Sequence, residues 1–237
     1  MTMLKTSLAL AAAALAALTP IAASAQDATP ADAAPAAVQE VPATPAPART
    51  YDKVNFDMTV DPENILLLDL SNGQRVAIRL MPSWAPKTVE RVKTLTRQGF
   101  YNGVIFHRVI DGFMAQTGDP TGTGTGGSQL PDLKAEFNPM PHVRGTVSMA
   151  RAASEDSANS QFFIVFYPRF SLDQRYTNFG RVISNMAAVD AIHRGEPPSD
   201  PTKILQASIA ADDLPPPPTP TADAPISVDE LNAPLGN

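Results

Sequence analysis

The chain is constrained most by a pair of β-type runs joined by a turn signal. Ile65-Leu66-Leu67-Leu68-Asp69-Leu70 is apolar except for one acid. Ser71-Asn72-Gly73 interrupts it, and Arg75-Val76-Ala77-Ile78-Arg79-Leu80 then alternates between polar and apolar positions. Two extended runs around an Asn-Gly signal predict a hairpin, because that dipeptide accepts the positive φ values of a tight turn. The same texture recurs downstream. Short β-type runs at residues 104–110, 113–117, 145–149, 161–166 and 204–210 are separated by turn residues, Asp111-Gly112 among them. Only two segments have helical spacing. Pro86 stands at a favoured first-turn position, Val89, Val92 and Leu95 share one face, and Gly99 closes the segment. A shorter helix is expected at residues 186–193. Hydrophobic residues make up 43% of the chain, enough for one real core. Many short strands with two helices predict a mainly β fold, a closed antiparallel barrel capped by the helices.

That domain is expected at residues 51–212, because both flanks change character. Residues 1–25 carry Lys5, an apolar run at residues 8–18, Pro20 and Ala23-Ser24-Ala25. A short basic region, a short apolar core and an Ala-x-Ala site are the parts of a secretory signal peptide, with cleavage expected after Ala25. The apolar run is too short for an anchor, which needs about 20 such residues. The expectation is therefore export to the periplasm, with no stable membrane insertion after cleavage. Residues 26–50 are almost all Ala, Pro, Thr and Asp. Such a segment has too little apolar side chain to repay ordering entropy and reads as a linker. Residues 213–237 form a second tail of this kind, with Pro215 to Pro218 near its start.

Composition also excludes function classes. The net charge of −6 argues against a nucleic-acid partner, which selects a basic stripe. There are no cysteines, so there is no zinc-thiolate site and no thiol nucleophile. His107, His142 and His193 are far apart and none has ligand spacing, so no metal or other cofactor is expected. Gly122-Thr123-Gly124-Thr125-Gly126-Gly127 fits the dinucleotide-binding glycine pattern formally. That pattern needs a helix start behind it, and Ser128-Gln129-Leu130-Pro131 opposes one. No Lys follows Gly127 either, so the segment reads as a flexible glycine loop. Ser160 and His107 could suggest a hydrolase, but there is no Gly-x-Ser-x-Gly elbow. With no internal repeat and no coiled coil, a monomer is the default.

The informative stretch is Phe106-His107-Arg108-Val109-Ile110, a turn at Asp111-Gly112, and Phe113-Met114-Ala115-Gln116-Thr117 returning. On strand period Arg108 shares a face with Phe106 and Ile110. Alone, an arginine there reads as an edge residue snorkelling to water. The wider pattern changes that reading. These residues, the glycine loop, Ser148-Met149-Ala150-Arg151-Ala152, Asn159-Ser160-Gln161-Phe162-Phe163-Ile164, and Leu172-Asp173 leading to Tyr176-Thr177-Asn178-Phe179-Gly180-Arg181-Val182 resemble the cyclophilin signature in order and spacing. The likeness spans residues 64–210.

The resemblance implies an eight-stranded antiparallel barrel with two capping helices. It also implies peptidyl-prolyl cis–trans isomerase activity on proline-containing polypeptides during folding. Arg108 matches the family's catalytic arginine, and Gln116 the glutamine that supports it. Phe113, Met114, Phe163 and Leu172 match the apolar pocket for the proline ring. His107 and Tyr176 match rim positions, with His107 in an orienting role, and Phe106 lies beneath the site. Ala150, Arg151, Ala152 and Gln161 match the groove floor that pairs with substrate backbone. Two departures stand out. Ser171, with Phe170 before it, replaces the tryptophan of eukaryotic cyclophilins, which predicts weak cyclosporin binding. Arg151 replaces the usual asparagine, which predicts an altered peptide preference. The alternative reading is a chaperone-like peptide-binding module with little turnover.

Overall fold

A computed structural model describes residues 49–218. The expected signal peptide, most of the linker and the tail beyond Pro218 lie outside those residues. The hairpin forms as its sequence requires. Strands β1 (Ile65–Leu70) and β2 (Arg75–Leu80) pair antiparallel, with Leu68 opposite Val76. Gly73 closes the turn at φ 78°, where a side chain is strained. Asp69 and Arg75 pair across the turn at 2.7 Å, which lets a carboxylate sit buried on a core strand. Leu66, Leu68 and Leu70 enter the main core, while Ile65 and Leu67 pack in a smaller cluster on the other face.

Helix α1 (Pro86–Arg97) buries Val89, Val92 and Leu95. Its N-cap residue, Ala85, supplies no side-chain acceptor. The carboxylate of Glu136 does so instead, accepting from the amides of Lys87 at 3.0 Å and Thr88 at 2.8 Å. At the other end Gly99 adopts φ 68°. The Phe100 amide donates to Leu95 and the Gly99 amide to Thr96, so the last carbonyls are satisfied by a Schellman turn.

The remaining strands are β3 (Arg108–Ile110), β4 (Met114–Thr117), β5 (Thr146–Met149), β6 (Phe162–Val165), β7 (Asn178–Ser184) and β8 (Ile204–Ile209). They form one eight-stranded antiparallel sheet in the order β3-β4-β6-β5-β7-β2-β1-β8. Its edges are brought together by the segment before β3. The Gly103 amide donates to Ile204, Ile204 to Val104, and Phe106 to Thr202. This corrects the expected strand at residues 104–110. Residues 104–107 bond to the β8 side of the curl, and only the last three residues join the β4 ladder. Phe106 therefore does not share a face with Arg108. It is fully buried in the main core with Val109, Phe162 and Phe179.

Strand β7 is absent from the pattern reading because Asn178, Gly180 and Arg181 break its alternation. The glycine has a steric cause: a Cβ there would stand 2.7 Å from the Arg79 carbonyl on β2. Helix α2 (Met186–Asp190) is shorter than expected. The Arg194 guanidinium donates to the carbonyl of its last residue, Asp190, and to that of Ile192 beyond it, which satisfies acceptors at its C-terminal end. At the start of the C-terminal tail, the Pro215 carbonyl accepts from Gln206.

Candidate functional site

Period-two alternation on β6 builds two cores from one strand. Phe162 and Ile164 point into the main core. Phe163 and Val165 point the other way and join Met114 in a separate buried cluster. Ile110, Phe113, Ala150, Leu172 and Tyr176 pack against that cluster and remain partly exposed. Tyr176 meets Phe163 edge-to-face, with centroids 5.6 Å apart. Register then brings polar groups alongside. Arg108 lies opposite Gln116, and Gln116 opposite Phe163, so the three form a row across β3, β4 and β6. The cluster is hollowed by a cavity of about 270 Å³ with Arg108, Phe113, Met114, Gln116, Phe163 and Leu172 on its walls. Ala150, Arg151 and Tyr176 complete it. Sites for whole small molecules measure about 300–1,000 Å³, so this one suits a single apolar side chain or ring.

A second cavity of about 520 Å³ adjoins the first and shares Gln116, Ala150 and Arg151 with it. Ala152, Gln161 and the glycine loop line it. Gln116 donates to the Gln161 side chain at 2.8 Å, and Gln161 donates to the Gly124 and Gly126 carbonyls. The expected support of Arg108 by Gln116 does not appear among the hydrogen bonds: the Gln116 NH₂ donates to Gln161, and its carbonyl oxygen, the atom that could accept from a guanidinium, has no partner among the described residues. Arg108 Nε donates instead to Glu196 at 2.7 Å. The Ala150 amide donates to the Gln161 carbonyl and the Ala152 amide to Ser157 Oγ, so neither is open to a substrate strand. Arg151 stacks on Tyr176, with its guanidinium carbon 5.0 Å from the ring centre. It donates to the carbonyls of Arg175, Ala152 and Ala153 and has no carboxylate partner among the described residues.

The glycine loop is organised from within. Fully buried Asp119 accepts from Thr121 N and Oγ1, both at 2.7 Å, from Gly124 N at 2.6 Å and from Gly126 N at 3.1 Å. Burial alone would raise its carboxyl, but the donors from Thr121, Gly126 and Gly124 together hold it at about 2. Amides that could have faced a phosphate are spent on the protein's own carboxylate. His107 lies under this loop, where a Cβ on Gly124 would touch its ring at 3.7 Å. It is 5% exposed, and neither ring nitrogen has a partner among the described residues. Burial pushes its pKa down, against the pull of Asp119, so the ring is neutral. His107 and Phe106 line neither cavity. The rim position expected of His107 is corrected accordingly: the loop covers it.

Ser160 donates to the Gly118 carbonyl and is fully buried. A serine–histidine–aspartate alignment does exist elsewhere. Ser148 Oγ meets His142 Nε2 at 2.8 Å, and His142 Nδ1 meets Asp173 at 2.8 Å. Ser148 and His142 are wholly buried and border neither cavity, so no substrate reaches them. The chain of bonds tethers the turn carrying Leu172 to β5. Ser171 is exposed, and Phe170 is 63% exposed and outside the cavity, so it does not replace the missing tryptophan.

Sequence reasoning missed Glu196, which is 88 residues from Arg108. The only signal was Gly195-Glu196-Pro197-Pro198, a stiff turn with one acid and no hint of its partner. It also missed Asp119 as the centre of the glycine loop, although a lone acid before six residues rich in glycine is the pattern to look for.

The model of the family described as "Cyclophilin type peptidyl-prolyl cis-trans isomerase/CLD" matches residues 66–209. A protein of Brucella suis named probable peptidyl-prolyl cis-trans isomerase is 50% identical over 168 residues, covering 64% of this chain and 85% of its own. A peptidyl-prolyl cis-trans isomerase of Helicobacter pylori is 42% identical over 130 residues, or 53% of this chain and 79% of its own. Among solved structures, a cyclophilin from Hirschia baltica superposes with a TM-score of 0.60 at 28% identity, over 66% of this chain and 77% of its own. A Cryptosporidium parvum cyclophilin type isomerase, crystallised in the presence of the dipeptide Ala-Pro, gives 0.57 at 30% identity, over 61% and 98%. The chain belongs to the cyclophilin-type peptidyl-prolyl cis–trans isomerase family. It is an enzyme of that activity class.

Proposed function

We propose that the chain accelerates X-Pro rotation in exported proteins by directing Arg108 at the twisted amide. The uncatalysed barrier, about 20 kcal/mol, comes from breaking amide resonance, and rotation needs no nucleophile or proton carrier. As the bond twists, the prolyl nitrogen regains its lone pair and becomes a better acceptor. A permanently charged, planar donor next to it favours that state over either planar isomer, which is what lowers a barrier. The proline ring enters the apolar cavity between Phe113, Met114, Phe163 and Leu172, while the chain before it lies over Ala150 to Ala152.

One observation carries the reading. A guanidinium shares the wall of a ring-sized apolar cavity, its two η-nitrogens make no protein hydrogen bond among the described residues, and no serine, threonine or carboxylate lines that cavity. The relative crystallised with Ala-Pro supports proline-containing peptides as substrates. The test is an isomerase assay on an Ala-Pro peptide with wild type and Arg108→Ala. Full turnover in the folded variant would sink the assignment. Export rests on residues 1–25, and N-terminal sequencing of protein recovered from the periplasm should begin at Gln26.

A further inference from the structure

Arg108 is 41% exposed at its side chain, so packing alone does not fix its rotamer. A turn from the far side of the sheet does. Gly195 bridges Val109, the residue next to Arg108, with Val109 N to Gly195 O at 2.8 Å and the reverse bond at 2.9 Å. Gly195 adopts φ 144°, and a Cβ there would stand 2.5 Å from Pro198, so only glycine allows the turn. Arg194 pins the preceding position by lying 4.3 Å over the Phe166 ring and donating to the Asp190 carbonyl. Glu196 is thereby carried to Arg108 Nε, yet it lines neither cavity.

A guanidinium is flat, so fixing the direction of its Nε–H fixes its plane and the aim of both η-nitrogens. We propose that Glu196 is a positioning residue for catalysis: it grips Arg108 from behind and presents the η-edge to the substrate amide. This rests on the role given to Arg108 above. An arginine has enough rotamer freedom that releasing it dilutes the productive conformer roughly three- to tenfold. Binding of the proline ring depends on Phe113, Met114 and Phe163, which Glu196 does not touch.

The experiment uses the full chain as wild type, Glu196→Ala, Glu196→Gln and Arg108→Ala. It measures kcat and KM on an Ala-Pro peptide, and the Arg108 Nε–H resonance by ¹⁵N NMR. Glu196→Ala should lower kcat roughly three- to tenfold, with KM within about twofold and the Nε–H signal broadened. Glu196→Gln keeps an oxygen acceptor and should stay within about twofold of wild type with a sharp signal. Wild-type kcat in Glu196→Ala overturns the proposal. So does a rise in KM at constant kcat, or equal damage from both substitutions. If Arg108→Ala keeps full turnover, the reading of Arg108 falls first. If Arg108→Ala is impaired while Glu196→Ala is normal, only the role of Glu196 falls.

Discussion

Replacing Asp119 by asparagine should loosen the glycine loop and change how stability responds to acid. The carboxylate receives four donors while fully buried. Its pKa moves from 3.8 to about 2 on folding, which corresponds to about 2 kcal/mol. Because the folded value is the lower one, this stability is fully present above pH 4 and is lost as pH falls towards 2. Asparagine cannot reproduce it, since its NH₂ group would face amide donors. Asp119→Asn should therefore cost about 2 kcal/mol or more at pH 6. Urea unfolding of both proteins at intervals from pH 6 to 2 is the assay. Other carboxylates, Glu63 among them, titrate equally in both, so the difference between the curves isolates Asp119. The gap should narrow as pH falls from 4 to 2. A gap independent of pH, or no loss at pH 6, would show that the Asp119 carboxylate does not hold the loop.

Two further outcomes follow from the departures in the groove. Cyclosporin should inhibit weakly, because Ser171 is exposed and Phe170 does not line the cavity; Ser171→Trp should tighten inhibition, and tight inhibition of wild type would contradict this. Arg151 borders both cavities without a carboxylate partner among the described residues. Peptides with Glu near the proline should show kcat/KM roughly two- to fivefold above Lys counterparts, a preference that fades in Arg151→Asn and at high salt.

What was legible in the sequence is what local rules control. The β1–β2 hairpin follows from alternation and the Asn-Gly turn, and α1 from Pro86, a one-sided apolar face and Gly99. The apolar cavity was legible only through the family resemblance, whose matched residues Phe113, Met114, Phe163 and Leu172 do line it. Interactions between distant segments were not. Residues 104–107 read as one strand with β3, yet barrel closure draws them to Thr202 and Ile204. Strand β7 was hidden because close packing on β2 demands Gly180 where alternation would ask for a side chain. His107 looked like a rim residue because nothing local shows that Asp119 folds a loop over it. Glu196 and Arg108 meet only through a turn whose docking on Val109 depends on the finished sheet.

In the proposed mechanism Arg108 acts on the rotating bond rather than on binding. Exchange NMR on an Ala-Pro peptide held at saturation measures rotation of the bound bond directly, for wild type, Arg108→Lys and Arg108→Ala. Loss of a preorganised donor should slow rotation about 10²- to 10³-fold in Arg108→Ala, and lysine, which lacks the planar fork, should recover little of it. The proline resonances should still shift on binding in every variant. Rotation at the wild-type rate in Arg108→Ala, with the peptide demonstrably bound, would show that Arg108 does not act on the rotating bond.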